Sequence, residues 1–187
     1  MTKSRFVTAV FVLALIAYSA AGQDKDRPLV TRDRVALNLA GAETIIHAAM
    51  KKALTMGPKF NIAVVDDGGH LLAFVRMDGA RPASGYTALT KAVAAATFRQ
   101  ETGPLPAKGE PDLLLSLSLQ STALAGGGKG TALKGGAPIT IDGQVIGAVG
   151  VGGGTGEQDL EVAKAGIAAL VNAVEPKNNA ERIGVSR

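Results

Sequence analysis

Apolar positions recur along this chain in two alternating periods, and the alternation predicts an α+β domain. Val35, Leu39, Ala42, Ile46, Ala49 and Ala53 follow one another at spacings of three and four. That spacing lines one face of a helix over Asp33 to Met56, which Gly57-Pro58 ends. Asn61 to Asp66 and His70 to Met77 are short β-branched or apolar runs around Asp67-Gly68-Gly69, so they read as a hairpin. Ser84 is placed to cap a helix over Gly85 to Gln100, with Leu89, Val93 and Ala96 inward. Gly103-Pro104 and Pro106 interrupt the chain, and the Leu-rich stretch Pro111 to Ser121 predicts a shorter helix. The Gly-rich stretch Gly126 to Gly136 reads as a loop.

Ile139 to Ile141 and Gln144 to Val151 flank Asp142-Gly143, a pair that favours a type I′ hairpin turn. Thr155-Gly156-Glu157-Gln158 fits a capping box, and Glu157 and Asp159 fall where the helix dipole favours negative charge. Leu160, Ala163, Ile167 and Val171 then mark the inner face of a last helix. The resulting order, α-ββ-α-α-ββ-α, needs no crossover to pair either hairpin internally. It predicts an antiparallel sheet made of two hairpins and covered by helices, rather than a doubly wound parallel sheet.

The N-terminal segment follows a different pattern. Lys3 and Arg5 precede an apolar run from Phe6 to Ala17, and small residues follow from Ser19 to Gly22. Residues 1–22 therefore read as a secretory signal peptide, which predicts a periplasmic or secreted protein. The alternative is an uncleaved anchor, but the run is short of the roughly 20 residues that a membrane span needs. Residues 23–32 read as a polar lead-in, 33–175 as the domain and 176–187 as a polar tail. Without Lys3 and Arg5 the net charge falls from +4 to +2, and no basic run with interleaved aromatics argues for nucleic acid. Aromatic residues make up only 4% and Trp is absent, so the core has to be aliphatic. The absence of Cys rules out disulfides, thiolate metal sites and Cys nucleophiles.

Few residues carry chemistry. His70 opens the second strand beside a Gly-rich turn, where it is either a ligand for iron or an exposed turn residue. His47 sits at the edge of the first apolar stripe and forms no metal motif with His70. Met77 is either an axial thioether or a packing residue at a strand end. Lys91 stands among alanines, where it either meets an anion or lies on a solvated face. Asp66, Asp67 and Asp78 sit in Asp-Gly turns with a backbone explanation of their own. Gly126 to Thr131 fails the P-loop pattern because Gly130 separates Lys129 from Thr131. Gly150 to Thr155 lacks the third glycine of a dinucleotide fingerprint. A glycine-rich strand end at a helix N-terminus still attracts anions. There is no G-x-S-x-G, so Ser/His/Asp catalysis has no support.

In order along the chain come Ala63-Val64-Val65-Asp66-Asp67-Gly68-Gly69-His70-Leu71-Leu72-Ala73-Phe74, Arg76-Met77-Asp78-Gly79-Ala80, Lys91-Ala92, Gly135-Gly136-Ala137-Pro138-Ile139, Val145 to Val151, and Gln158-Asp159. Taken together these resemble the GlcG/HbpS haem-binding family over about residues 33–173. The resemblance implies a profilin-like α+β fold, assembly into homo-oligomers and haem as the cofactor, with haem breakdown or iron storage in some members. Haem ligation varies among such members, so the resemblance carries over no axial ligand; the residues present would make a pocket that brings His70 or Met77 near the iron and Lys91 or another cation near the propionates. Asp66, Asp67, Asp78, Gly135, Gly136, Gly152 and Gly153 would form its rim. Gly152 stands where relatives often carry a serine, which removes a hydroxyl. The alternative is a carrier or enzyme for a small organic acid in the same cleft, anchored by Lys91 and Asp66. A third reading is a signalling oligomer that docks on a membrane partner.

Overall fold

The computed structural model describes residues 31–32, 34–106, 108–125 and 127–174. The expected signal peptide 1–22, the expected lead-in up to residue 30 and the expected tail 176–187 lie outside the described residues. A compact unit begins at Val35. It contains α1 (Leu39–Leu54), β1 (Asn61–Asp66), β2 (Leu71–Arg76), α2 (Ala83–Phe98), α3 (Leu113–Ala125), β3 (Gly136–Ile141), β4 (Gln144–Gly152) and α4 (Gly156–Val174). The four strands are antiparallel in the order β2-β1-β4-β3, so each predicted hairpin forms and the two join through β1 and β4.

The second hairpin turns as its sequence demands. Asp142 and Gly143 both have positive φ, 49° and 74°, as a type I′ turn requires. β3 starts earlier than Ile139, because Gly136, Ala137 and Pro138 already pair with Gly150, Val149 and Ala148. Pro138 is tolerated there because β3 is an edge strand.

Three helix starts differ from expectation for local reasons. α1 begins at Leu39, not Asp33, because Asn38 is extended and its side-chain oxygen accepts the Gly41 N–H at 2.9 Å. Val35 therefore precedes the helix, Leu39 is exposed, and Ile45 takes an inner place on the apolar face. Ser84 does not cap α2; it lies buried inside the first turn, and Pro82, with φ −55°, starts the helix instead. α2 stops at Phe98 because Arg99 turns left-handed. In α3 the Asp112 carboxylate accepts the Leu115 N–H at 3.0 Å, and the helix continues past Ser121 to Ala125.

The sheet is covered on both faces. Ile62 and Val64 of β1 and Val149 and Val151 of β4 face the aliphatic core shared with α1 and α4. Ala63, Val65 and Ala148 face α2, whose inner surface is Ala88, Ala92, Val93, Ala95 and Ala96. This alanine face lets α2 sit very close to the sheet, and glycines on the sheet complete the fit. A Cβ on Gly150 would strike the Ala88 carbonyl and the Ala92 N–H, and one on Gly152 would come within 2.6 Å of the Ser84 carbonyl. A core with few aromatics is thus closed by small residues meeting small residues.

Candidate functional site

Two clefts open beside α2, and their walls differ in chemistry. The first is an apolar groove of about 390 Å³ between β2 and α2. Leu71 and Phe74 of β2 face Pro82, Tyr86 and Leu89, and Arg76 adds one cation. Because β2 is an edge strand, its side chains stay in reach of solvent: Leu71 is 51% and Phe74 44% exposed. Gly85 keeps the floor open, since a Cβ there would lie 3.3 Å from Phe74 Cζ and 3.5 Å from Asn61 Oδ1. Asn61 is fully buried; its Nδ2 donates to the Arg81 carbonyl at 3.1 Å, while Oδ1 has no partner among the described residues.

The second is a polar cleft of about 520 Å³ between the first half of α2, the Gly152–Gly154 turn and the start of α4. At its floor Lys91 and Asp159, both almost completely buried, form an ion pair with Nζ to Oδ2 of 2.7 Å. Lys91 also donates to the Val151 carbonyl at 2.9 Å, and Asp159 Oδ1 accepts the Gly154 N–H at 2.9 Å. Both charges and both carboxylate oxygens are thereby engaged, which is what makes burial of two charges tolerable. The predicted capping box orients this end of α4: Gln158 Oε1 accepts the Thr155 N–H at 2.9 Å and Thr155 Oγ1 accepts the Gln158 N–H at 3.3 Å. On the rim, Lys134 pairs with Glu157 at 3.3 Å. Glu157 is held below its ordinary pKa by its own backbone N–H and by the Lys134 ammonium.

His70 stands at the mouth of the first hairpin, 82% exposed at its side chain, with Nδ1 3.2 Å from each oxygen of Asp66. Asp66 Oδ1 also accepts the N–H groups of Gly68 and His70, at 2.9 and 2.8 Å. Burial pushes the Asp66 carboxyl upward, but the His70 and Gly68 hydrogen bonds and the nearby imidazole outweigh it and hold it below the ordinary carboxylate value. The carboxylate thus fixes one imidazole nitrogen and leaves Nε2 unengaged, the arrangement that usually supports a metal-ligating histidine.

The residues expected in one pocket therefore divide. Lys91, Gly152 and Gly153 border the polar cleft. Gly135 and Gly136 stand behind Lys91, where a Cβ on Gly135 would come within 2.9 Å of its Nζ. Asp66, Asp67 and His70 belong to the hairpin mouth, and Asp78 follows β2 on the surface. Asp66 and Lys91 do not share a cleft, so they are not joint anchors of one ligand. The solvated-face reading of Lys91 fails, because its neighbours on α2 are packed on the sheet and its ammonium reaches Asp159 of α4. Met77 lies inside the aliphatic core, and its sulfur accepts the Phe60 N–H at 3.4 Å. Asn61, Arg81 and Asp159 were not singled out as site residues by the sequence. A lysine inside an alanine run, together with an acidic residue at a capped helix start, is the one signal that pointed toward the buried pair. Among the described residues no group of three or more His, Cys, Asp and Glu is placed to hold a metal ion, and no helix is long and apolar enough to cross a membrane.

Known proteins share this sequence pattern and this fold. Residues 37–168 match the family described as haem degrading protein HbpS-like. The chain is 42% identical to Protein GlcG of Escherichia coli over 120 residues, 64% of this chain and 84% of that protein. Its fold is similar to the crystal structure of Klebsiella pneumoniae protein ORFY, with TM-score 0.64 and 30% identity over 77% of this chain and 97% of the other. It is also similar to the PduOC chain solved as a haem complex, with TM-score 0.60 and 25% identity over 72% of this chain and 95% of that one.

Proposed function

The chain belongs to the HbpS-like family of haem-degrading proteins, and from that premise we propose that it is an exported haem-binding protein whose porphyrin lies in the groove between β2 and α2. The observation that carries this reading is the groove itself. A porphyrin needs broad apolar contact with a few polar groups at its edge. Leu71, Phe74, Tyr86 and Leu89 offer that contact, and Arg76 is a cation suited to a propionate. Gly85 leaves room on the α2 side that any side chain would reduce.

His70 is the residue we assign to the iron. It precedes Leu71 of the groove, and Asp66 holds its Nδ1 so that Nε2 is the nitrogen offered. Met77 is not assigned, since its sulfur is engaged within the core. Lys91 is not assigned to a propionate, since Asp159 neutralises it. When bound, haem supplies an iron centre whose ligation and redox behaviour depend on the axial residue.

Titration of hemin into the purified protein, followed at the Soret band, tests the reading. The expected result is a saturable, shifted band. His70→Ala should change the band position, and Asp66→Asn should weaken binding by about tenfold through loss of imidazole orientation. An unshifted band at all protein concentrations would overturn the proposal.

Two further parts of the proposal are export and self-association. The N-terminal pattern of Lys3, Arg5 and the apolar run supports export. Mass spectrometry of the protein recovered from outside the cytoplasm should find a mature chain beginning near Gln23. Self-association is supported by α3, where Leu113, Leu114 and Leu124 are each more than 70% exposed and only Ala123 is buried. So apolar a helix surface usually meets another protein surface, and light scattering should find a homo-oligomer that Leu114→Glu with Leu124→Glu dissociates.

A further inference from the structure

We propose that the polar cleft is a second ligand site, separate from the haem groove, and that it takes a short hydroxycarboxylate. Three observations converge on it. The first is a hydroxyl on its wall: Ser84 lines the cleft, with only 5% of the residue exposed. A hydroxyl there can donate to a ligand in the cleft or accept from it. The second is Lys91, whose ammonium has three donors but makes two hydrogen bonds, to Val151 and Asp159. The third is charge. Arg81, Lys91 and Lys134 border the cleft against Glu157 and Asp159. Lys91 is matched by Asp159 and Lys134 by Glu157, while no carboxylate pairs with Arg81 among the described residues.

These features define the ligand. One surplus cation, Arg81, calls for one carboxylate, which a guanidinium receives with two parallel hydrogen bonds. A dicarboxylate would bring a second negative charge to a cleft whose other cations are already matched. Ser84 Oγ and the remaining Lys91 donor fit a neutral oxygen near that carboxylate, a hydroxyl that can both donate and accept. None of the residues that border the apolar groove borders this cleft. The site is therefore independent of the haem proposal and can be tested on haem-free protein.

The test is calorimetric titration of the haem-free full-length protein with lactate, with propionate as the analogue lacking the hydroxyl and methyl lactate as the analogue lacking the charge. The expected result is one saturable site for lactate, severalfold weaker binding of propionate and none of methyl lactate. Arg81→Ala, at an exposed side chain, should weaken lactate binding by about tenfold or more, and Ser84→Ala by a few fold. Melting curves check that both variants fold, and the three-ligand comparison on the unaltered protein stands even where a variant does not. No saturable heat with lactate, or equal binding of lactate and propionate, or affinity unchanged in Arg81→Ala, would overturn the proposal. The hemin titration decides the haem reading separately.

Discussion

The groove and the cleft share α2 and yet are built on opposite principles. The groove lies along an edge strand, its walls are large apolar side chains left half-exposed, and its one orphan polar atom is Asn61 Oδ1. The cleft lies at the end of the central strand β4, and its floor is a buried ion pair tied to backbone groups of β4 and the following turn. One surface is apolar area waiting to be covered; the other is charge that the fold has already paired. The difference teaches that the charge of a buried lysine can be spent within the fold, on Asp159, while an exposed arginine beside it keeps its own unmatched among the described residues.

The largest expected effect follows from breaking the pair. Asp159→Ala leaves the Lys91 ammonium buried without its partner and should cost about 3–5 kcal/mol, measured by urea unfolding. Replacing both residues, Lys91→Met with Asp159→Leu, should cost much less, because no uncompensated charge remains. A double variant as unstable as the single one would deny that the charge pair sets the cost.

The contact that both clefts depend on is the close seat of α2. Gly150→Ala places a methyl against the backbone of Ala88 and Ala92 and should destabilise by about 1–3 kcal/mol or more. If α2 lifts as a result, hemin and lactate binding should weaken together. If only one weakens, the two sites are less coupled through α2 than their shared wall suggests.

Groove and cleft should then separate cleanly. Phe74→Ala removes half-exposed apolar area and should weaken hemin binding by about tenfold, roughly 1.4 kcal/mol, with lactate binding unchanged. The smallest effect concerns acid. The folded-state pKa of Asp66 is lowered, so its contribution to stability is fully present above its unfolded value near 3.8 and is lost as pH falls through the lower folded value. The amide signals of Gly68 and His70, which donate to that carboxylate, should therefore shift below about pH 4. Amides that do not move below about pH 4 would contradict the role of Asp66 as their acceptor.

Local chemistry made much of this fold readable. The Asp142-Gly143 turn, the Thr155–Gln158 capping box and the two hairpins depend on residues only a few positions apart, and all of them form. Helix starts were read less well where one side chain changed role: Ser84 has a capping residue's chemistry but follows Pro82, which begins the helix first. The site was harder to read because its partners are distant in sequence. Lys91 and Asp159 are separated by 68 positions, and nothing local to either names the other. The glycines from Gly135 to Gly154 were legible as a special segment, but their reason is largely the backbone of α2 and neighbouring strands pressing on them. Met77 illustrates the opposite case, a residue with ligand chemistry that the core claims for packing.

The central claim is that haem occupies the groove of β2 and α2 and not the polar cleft. Paramagnetic broadening of backbone amide signals by ferric hemin tests it most directly. The account predicts that Leu71, Phe74, Tyr86 and Leu89 lose intensity first, while Lys134, Gly154 and Glu157 keep theirs. Broadening centred on Lys134, Gly154 and Glu157, with the β2 signals intact, would contradict it.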